Sequence, residues 1–222
     1  MPPDGLWTCR RTTLRMRIKE IRPSQRVKGR FLVCLDNEDI IRVGEGEMIS
    51  FALHAGLELE PEELEALKQA AVAGRLKERA FAMVARKPMS RNALGDKLLE
   101  LEPEGGAAVS AVLERLEELG LLDDTAYAKI VVRHYSRKAY GAAKLRDELY
   151  RRKVPRELWE EALAEAEPSE EGVDALIAKK LDGIEALERK DFQRVSSALA
   201  RRGFGWEEIR EGMERWKNRR EE

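Results

Sequence analysis

Between Leu14 and Ile21 apolar and basic residues take turns: Leu14, Met16 and Ile18 alternate with Arg15, Arg17 and Lys19. A period of two predicts a half-buried strand with its basic side in water. Pro23 to Gly29 reads as a turn, RFLVCLD from Arg30 as a second strand, Asp36 to Asp39 as a tight turn, and IIRV from Ile40 as a third. The expected product is an antiparallel hairpin or three-stranded sheet, too small to stand alone. After about Glu47 the spacing becomes helical. MISFALHAG predicts a short helix stopped by Gly56. EPEELEALKQAAV predicts another, with Pro61 in its first turn and Leu64, Leu67 and Ala71 as its apolar stripe.

The remainder repeats itself. KLRDELYRRKVPRELWEEAL, from Lys144, lies over RVSSALARRGFGWEEIREGM, from Arg194, at an offset of about fifty residues. Leu145 then meets Val195, Leu149 meets Leu199, Arg151-Arg152 meets Arg201-Arg202, and Val154 meets Phe204. Each unit reads as three short helices. In the first, LKERAFAMVAR precedes SRNALGDKLLEL, capped by Ser90, and AAVSAVLERLEEL, with Val109, Val112, Leu113 and Leu116 on one face. The second holds DTAYAKIVVRHYSRK, GAAKLRDELYRRK and PRELWEEALAEA. The third holds EGVDALIAKKL, DFQRVSSALARR with Asp191 as its cap, and WEEIREGMERWK. One such unit buries little apolar surface, so neighbours must stack to share a core. The expected fold is mainly α: tandem three-helix repeats in an elongated, curved body, with a small N-terminal antiparallel β hairpin or sheet. The expected segments are 1–46 (hairpin), 47–74 (helical connector), 75–122, 123–167 and 168–222 (the three modules).

The chain has 222 residues, 37% of them charged, which suits thin helical structure better than one thick core. It contains no apolar run long enough to span a bilayer, and MPPDGLWTCRR lacks the core of a signal peptide, so a soluble cytoplasmic protein is expected. Net charge is -1, but the charges are segregated. Arg10–Arg30 carries nine bases against Glu20, and Lys129–Arg156 ten bases against two acids. Glu157–Ala175 carries eight acids and no base. Segregation of this kind speaks of partners and not of fold.

No catalytic, cofactor or metal set is expected. The chain lacks a phosphate-binding glycine loop, GxSxG and HExxH, and it has two cysteines and two histidines without ligand spacing. Cys34 reads as a packed thiol. The Asp123-Asp124 pair starts a helix, so one of the two reads as a cap. Lys129, Arg133 and Arg137 recur every four residues and form a basic stripe, opposite Tyr127, Ile130, Val131 and His134, which are expected to face the core. Lys138, Lys144, Arg146, Arg151, Arg152 and Lys153 follow. With no acid four residues away on the first helix, this stripe suits an anionic partner: nucleic-acid phosphate or an acidic protein surface. Trp159, Trp206 and Trp216 read as packing residues.

GLLDDTAYA followed by VVRHYSRKAYGAAKLRDELYRRKV resembles the centre of the RecX family of bacterial recombination regulators. The resemblance rests on Gly120, Leu122, Asp123, Asp124, Tyr127-Ala128, Arg133, Arg137, Gly141, Leu145, Glu148, Leu149, Lys153 and Val154. RKPMSRNALGDKL is similar to an earlier family segment. The chain departs from the pattern at Ala142-Ala143, where a proline often follows the glycine, and at a small insertion over Glu102–Gly106. The resemblance implies a non-enzymatic protein without cofactor. It would bind the RecA recombinase filament on single-stranded DNA and inhibit ATP hydrolysis and strand exchange, with the DNA itself open to contact inside the filament. The contact is expected in modules two and three, through the basic residues Arg133, Arg137, Lys138, Lys144, Arg146, Arg151, Arg152 and Lys153, with Lys179, Lys180, Arg201 and Arg202 secondary. Nothing in the sequence demands more than a monomer. The alternative is a helix-turn-helix-like DNA-binding protein acting without recombinase, the basic hairpin laid on phosphates.

Overall fold

The computed structural model describes residues 15–166, 170–184 and 187–221. Leu14, Cys9 and the expected boundary at 167/168 lie outside them. β1 (Met16–Pro23), β2 (Arg30–Leu35) and β3 (Ile40–Gly44) form the expected antiparallel meander. A fourth strand, β4 (Glu58–Leu59), pairs with β1 and gives the order β3-β2-β1-β4. Two residues long, it has too little alternation to be read from sequence. The pairing of β1 with β2 slips between Ile18 and Glu20. This bulge returns Ile21 to the face already occupied by Ile18, although the two are an odd number of residues apart. The inner face, with Ile18, Val33, Leu35, Ile41 and Val43, packs against Leu53, Leu59, Leu64 and Leu67.

The first helices differ from expectation in their limits. α1 spans Glu45–Ser50, begun by the Glu47 carboxylate, which accepts the Gly44 N–H at 2.8 Å. Gly56 therefore ends no helix; its N–H is donated to the Ile18 carbonyl at 2.8 Å as the chain turns toward β4. α2 runs unbroken from Pro61 to Arg86, where a connector and a first module helix were expected to meet near Arg75. Its buried stripe, Leu64, Leu67, Ala71, Leu76 and Ala80, continues through that point. Gly74, a weak helix former, lies inside it against the Glu47 side chain, so the helix passes through it.

α3 (Arg91–Leu101) begins at Ser90, whose hydroxyl accepts the Ala93 N–H at 3.2 Å. α4 (Gly106–Glu118) buries Val109, Val112, Leu113 and Leu116. α5 (Asp124–Ser136) is capped by Asp123, which accepts the Ala126 N–H at 2.9 Å. Asp124 accepts the Arg91 N–H at 2.7 Å, and burial pushes its carboxyl above the ordinary range. Both acids of the pair are thus structural. α6 (Ala142–Arg151), a 3-10 turn (Arg156–Leu158) and α7 (Trp159–Ala164) close one three-helix cluster around Tyr127, Val131, Leu145, Leu149 and Val154. α8 (Glu170–Lys180), α9 (Arg189–Arg201) and α10 (Trp206–Glu221) form a second around Ile177, Leu181, Val195, Leu199 and Ile209.

Three finer expectations are corrected. α9 starts two residues before Asp191, with Glu188 at its cap position; Asp191 sits in the first turn beside Arg194 at 3.3 Å. The core face of α5 is Tyr127, Ala128, Val131, Val132 and Tyr135, so Ile130 and His134 fall beyond its edge and are exposed. Trp206 opens α10 where no neighbour covers it and stays 61% exposed, touching Phe192 edge-on.

The described chain resolves into two compact units: one reaches Ala82 and includes Leu98–Val112, the other joins Met83–Lys97 to the chain from Leu113 onward. The first holds the sheet. The second holds both three-helix clusters.

Candidate partner-binding surface

In the second unit, helices meet end to end. The last carbonyls of α6, Arg152 and Lys153, accept from Ser90 Oγ and from Asn92 Nδ2 (3.2 Å) at the start of α3. About fifty residues on, the carbonyls of Arg202 and Gly203 after α9 accept from Gly141 N (3.0 Å) and Ala143 N (3.1 Å) at the start of α6. Each joint sets a negative helix end on a positive one and satisfies groups that helices otherwise leave unpaired. The second joint needs two glycines. Gly203 has φ +88, and a Cβ on either Gly141 or Gly203 would collide with the other strand of backbone.

These joints consume cations that the sequence assigned to a partner. Arg202 donates to the carbonyls of Lys138 (3.1 Å) and Ala139 (3.2 Å) at the end of α5, and its guanidinium lies 5.2 Å from the centre of the Tyr140 ring. Arg152 folds back on Glu148 and donates to the Tyr135 hydroxyl at 3.0 Å. Glu148 is the hub: it is 5% exposed and also takes Lys144 at 3.2 Å and Arg151 at 3.4 Å. Burial alone would raise its carboxyl, but hydrogen bonds from Arg152, Lys144 and Tyr135 outweigh that and hold it at about 2. Tyr135, not among the residues singled out from the sequence, is central to this network. Its signal was its place four residues beyond Val131 on the core face.

The basic stripe on α5 is partly neutralised by α7. Lys129 reaches Glu161 at 2.9 Å and Glu165 at 2.8 Å, and hydrogen bonds to Glu165 and then Glu161 raise its ammonium above the ordinary lysine range. Arg133 lies 3.6 Å from Glu165, and Arg146 lies 3.8 Å from Glu160. Lys153 pairs with Asp96. Arg137, Lys179, Lys180 and Arg201 are exposed and make no ion pair among the described residues. Lys138 is exposed too, with its ammonium 5.5 Å from the Tyr135 ring centre. Arg137, Lys138 and Arg202 thus gather at the α5–α6 turn; Lys179 and Lys180 end α8 in the other cluster. Such a surface can hold a polyanion or a row of carboxylates through exposed charges.

The profile of RecX, second three-helix domain, matches residues 123–163, the α5–α7 cluster. The regulatory protein RecX of Chlorobium phaeobacteroides is 33% identical over 138 residues, 61% of this chain and 89% of the relative. The chain belongs to the RecX family. A RecX of Vibrio vulnificus is 30% identical over 136 residues, covering 60% of this chain and 88% of that protein. A RecX of Thermus thermophilus reaches 46% identity over 91 residues, 41% of this chain and 62% of the relative. A crystal structure of regulatory protein RecX superposes with TM-score 0.67 at 25% identity over 88% of this chain and 97% of that one. RecX from Lactobacillus salivarius shares the fold at TM-score 0.62, covering 67% of this chain and 98% of its own. The mainly helical architecture with a small antiparallel sheet is therefore that of RecX structures. Among the described residues, no helix is long and apolar enough to cross a membrane.

Proposed function

We propose that this chain is a non-enzymatic, cytoplasmic regulator that binds the RecA recombinase filament on single-stranded DNA and lowers its ATP hydrolysis and strand exchange. It acts as a monomer built from the hairpin, the connector and three helical modules. Membership of a family of regulatory proteins supports this reading. The observation that carries it is that Arg137, Lys138, Lys179, Lys180 and Arg201, spread over the two helical clusters, are exposed and make no ion pair among the described residues. Several weak contacts on one body add through effective concentration. Arg133, Arg146, Arg151 and Lys153 stand beside them, exposed but paired; Lys144, Arg152 and Arg202 act mainly within the fold.

The test is single-stranded-DNA-dependent ATP hydrolysis by RecA of the same organism, titrated with this protein at substoichiometric ratios. A steep fall in rate is expected. Unchanged hydrolysis, together with salt-sensitive binding to bare duplex, would favour the helix-turn-helix-like DNA-binding reading instead.

A further inference from the structure

The outer face of the sheet carries a feature that regulation through the helical modules leaves unused. Across the strands, Arg22 is paired with Leu32 and Leu32 with Arg42, so two guanidiniums flank a leucine on the face opposite Ile21, Val33 and Ile41. The β1–β2 loop rises beside this row. Ser24 organises it: its hydroxyl accepts the Val27 N–H at 3.3 Å and its own N–H reaches the Arg30 carbonyl at 2.7 Å. Loop and sheet enclose a groove of about 560 Å³ whose lining contains no Asp or Glu among the described residues. Its apolar lining includes Leu32, Ile40, which is 57% exposed, and Val27, which is 46% exposed. Of its arginines, Arg30 is turned to Glu78 of α2 and Arg22 to Glu20 at the margin, while Arg26 and Arg42 make no ion pair among the described residues.

We propose that this groove is a binding site for single-stranded nucleic acid, the phosphates held by Arg26 and Arg42 and unstacked bases laid on Leu32, Ile40 and Val27. Exposed apolar side chains between cations on one rigid face have a cost in water that a partner must relieve. A duplex offers phosphates but keeps its bases stacked inside. A chain of Asp and Glu alone offers carboxylates but no flat apolar faces. A single strand offers both at once, and guanidinium planes add stacking of their own. The site lies in the first unit and does not rest on the recombinase reading.

The experiment is fluorescence anisotropy of a labelled oligo(dT) with the full chain and no recombinase, over a range of salt. The unmodified protein should bind, with duplex of equal length competing more weakly. Arg26→Glu/Arg42→Glu should weaken binding at least ~10-fold and lower the log–log salt slope by about 1.4, at roughly 0.7 per phosphate contact on a single strand. Arg26→Gln/Arg42→Gln should show the same change of slope should the reversals disturb folding. Leu32→Ser/Ile40→Ser should weaken binding several-fold with the slope unchanged. No binding, an unchanged slope in both arginine variants, or equal competition by polyglutamate or duplex would overturn the proposal. Because recombinase is absent, failure here would leave the filament reading intact.

Discussion

Glu148 shows what one residue does in this fold. It belongs to the L-x-x-E-L pattern of α6, where a carboxylate at helical spacing reads as surface charge. Instead it is buried, and Arg152, Lys144 and Tyr135 satisfy it. Its carboxyl falls from 4.5 to about 2 on folding, so its contribution is present above the unfolded value and is lost as pH falls from about 4.5 toward about 2. Glu148→Gln should cost about 3 kcal/mol at pH 7, since it removes the buried carboxylate with which Arg152 and Lys144 pair. Urea unfolding of both proteins should show that gap closing as the buffer is taken down through the same range. Ser90 is a second case. Its hydroxyl caps α3 and donates to the Arg152 carbonyl, so Ser90→Ala should lose about 1–2 kcal/mol, above an ordinary cap loss of ~1. The cap was legible from the sequence; the second bond was not, because its acceptor lies 62 residues away.

At the scale of elements, the repeat has a mechanical meaning. The middle helices α3, α6 and α9 join head to tail, and the residues at the joints recur at nearly the repeat spacing: Ser90 and Gly141 at the starts, Arg152 and Arg202 at the ends. Gly203 has a φ of +88, the left-handed conformation that ends a helix. Its close approach to α6 was not visible, because sequence says nothing about which backbone comes near. Two substitutions separate these roles. Gly141 has an ordinary φ of -78, so Gly141→Ala reports the collision with Gly203 alone. Gly203→Ala adds the left-handed strain, of order 1–3 kcal/mol. Both should lower the melting temperature, Gly203→Ala the more, and hydrogen exchange should quicken around the α5–α6 turn and the α9–α10 link. Equal exchange at those places in variant and parent would remove the joint from the stability of this unit.

For the whole molecule the question is where the charge goes. The basic run Lys129–Arg156 and the acidic run that follows suggested a surface waiting for an anion. Folding brings the two runs together: Glu160, Glu161 and Glu165 of α7 and its end meet Arg146, Lys129 and Arg133. Of the cations the sequence assigned to a partner, those that make no ion pair among the described residues stand at the α5–α6 turn, the end of α8 and the end of α9. Arg137→Glu/Lys138→Glu should therefore weaken inhibition of RecA ATP hydrolysis about 10-fold, whereas Lys129→Gln should change it little. The inhibition curve of each variant, with its unfolding curve as control, decides between a used surface and a solvated one.

By itself the sequence determined the elements: three of four strands, nearly all helices, the Ser90 cap, a cap at one of Asp123-Asp124, and a repeat whose residues carry the family pattern. These follow from side-chain period and from hydrogen bonds made within a few residues, which are local. Tertiary structure alone decided the rest. It joined two expected helices into α2, added β4, moved Ile130, His134 and Trp206 to the surface, and turned Arg152 and Arg202 inward. These outcomes depend on which elements meet: β4 pairs with the distant β1 and Arg202 donates to a carbonyl 64 residues away, and a contact at that separation leaves no period along the chain.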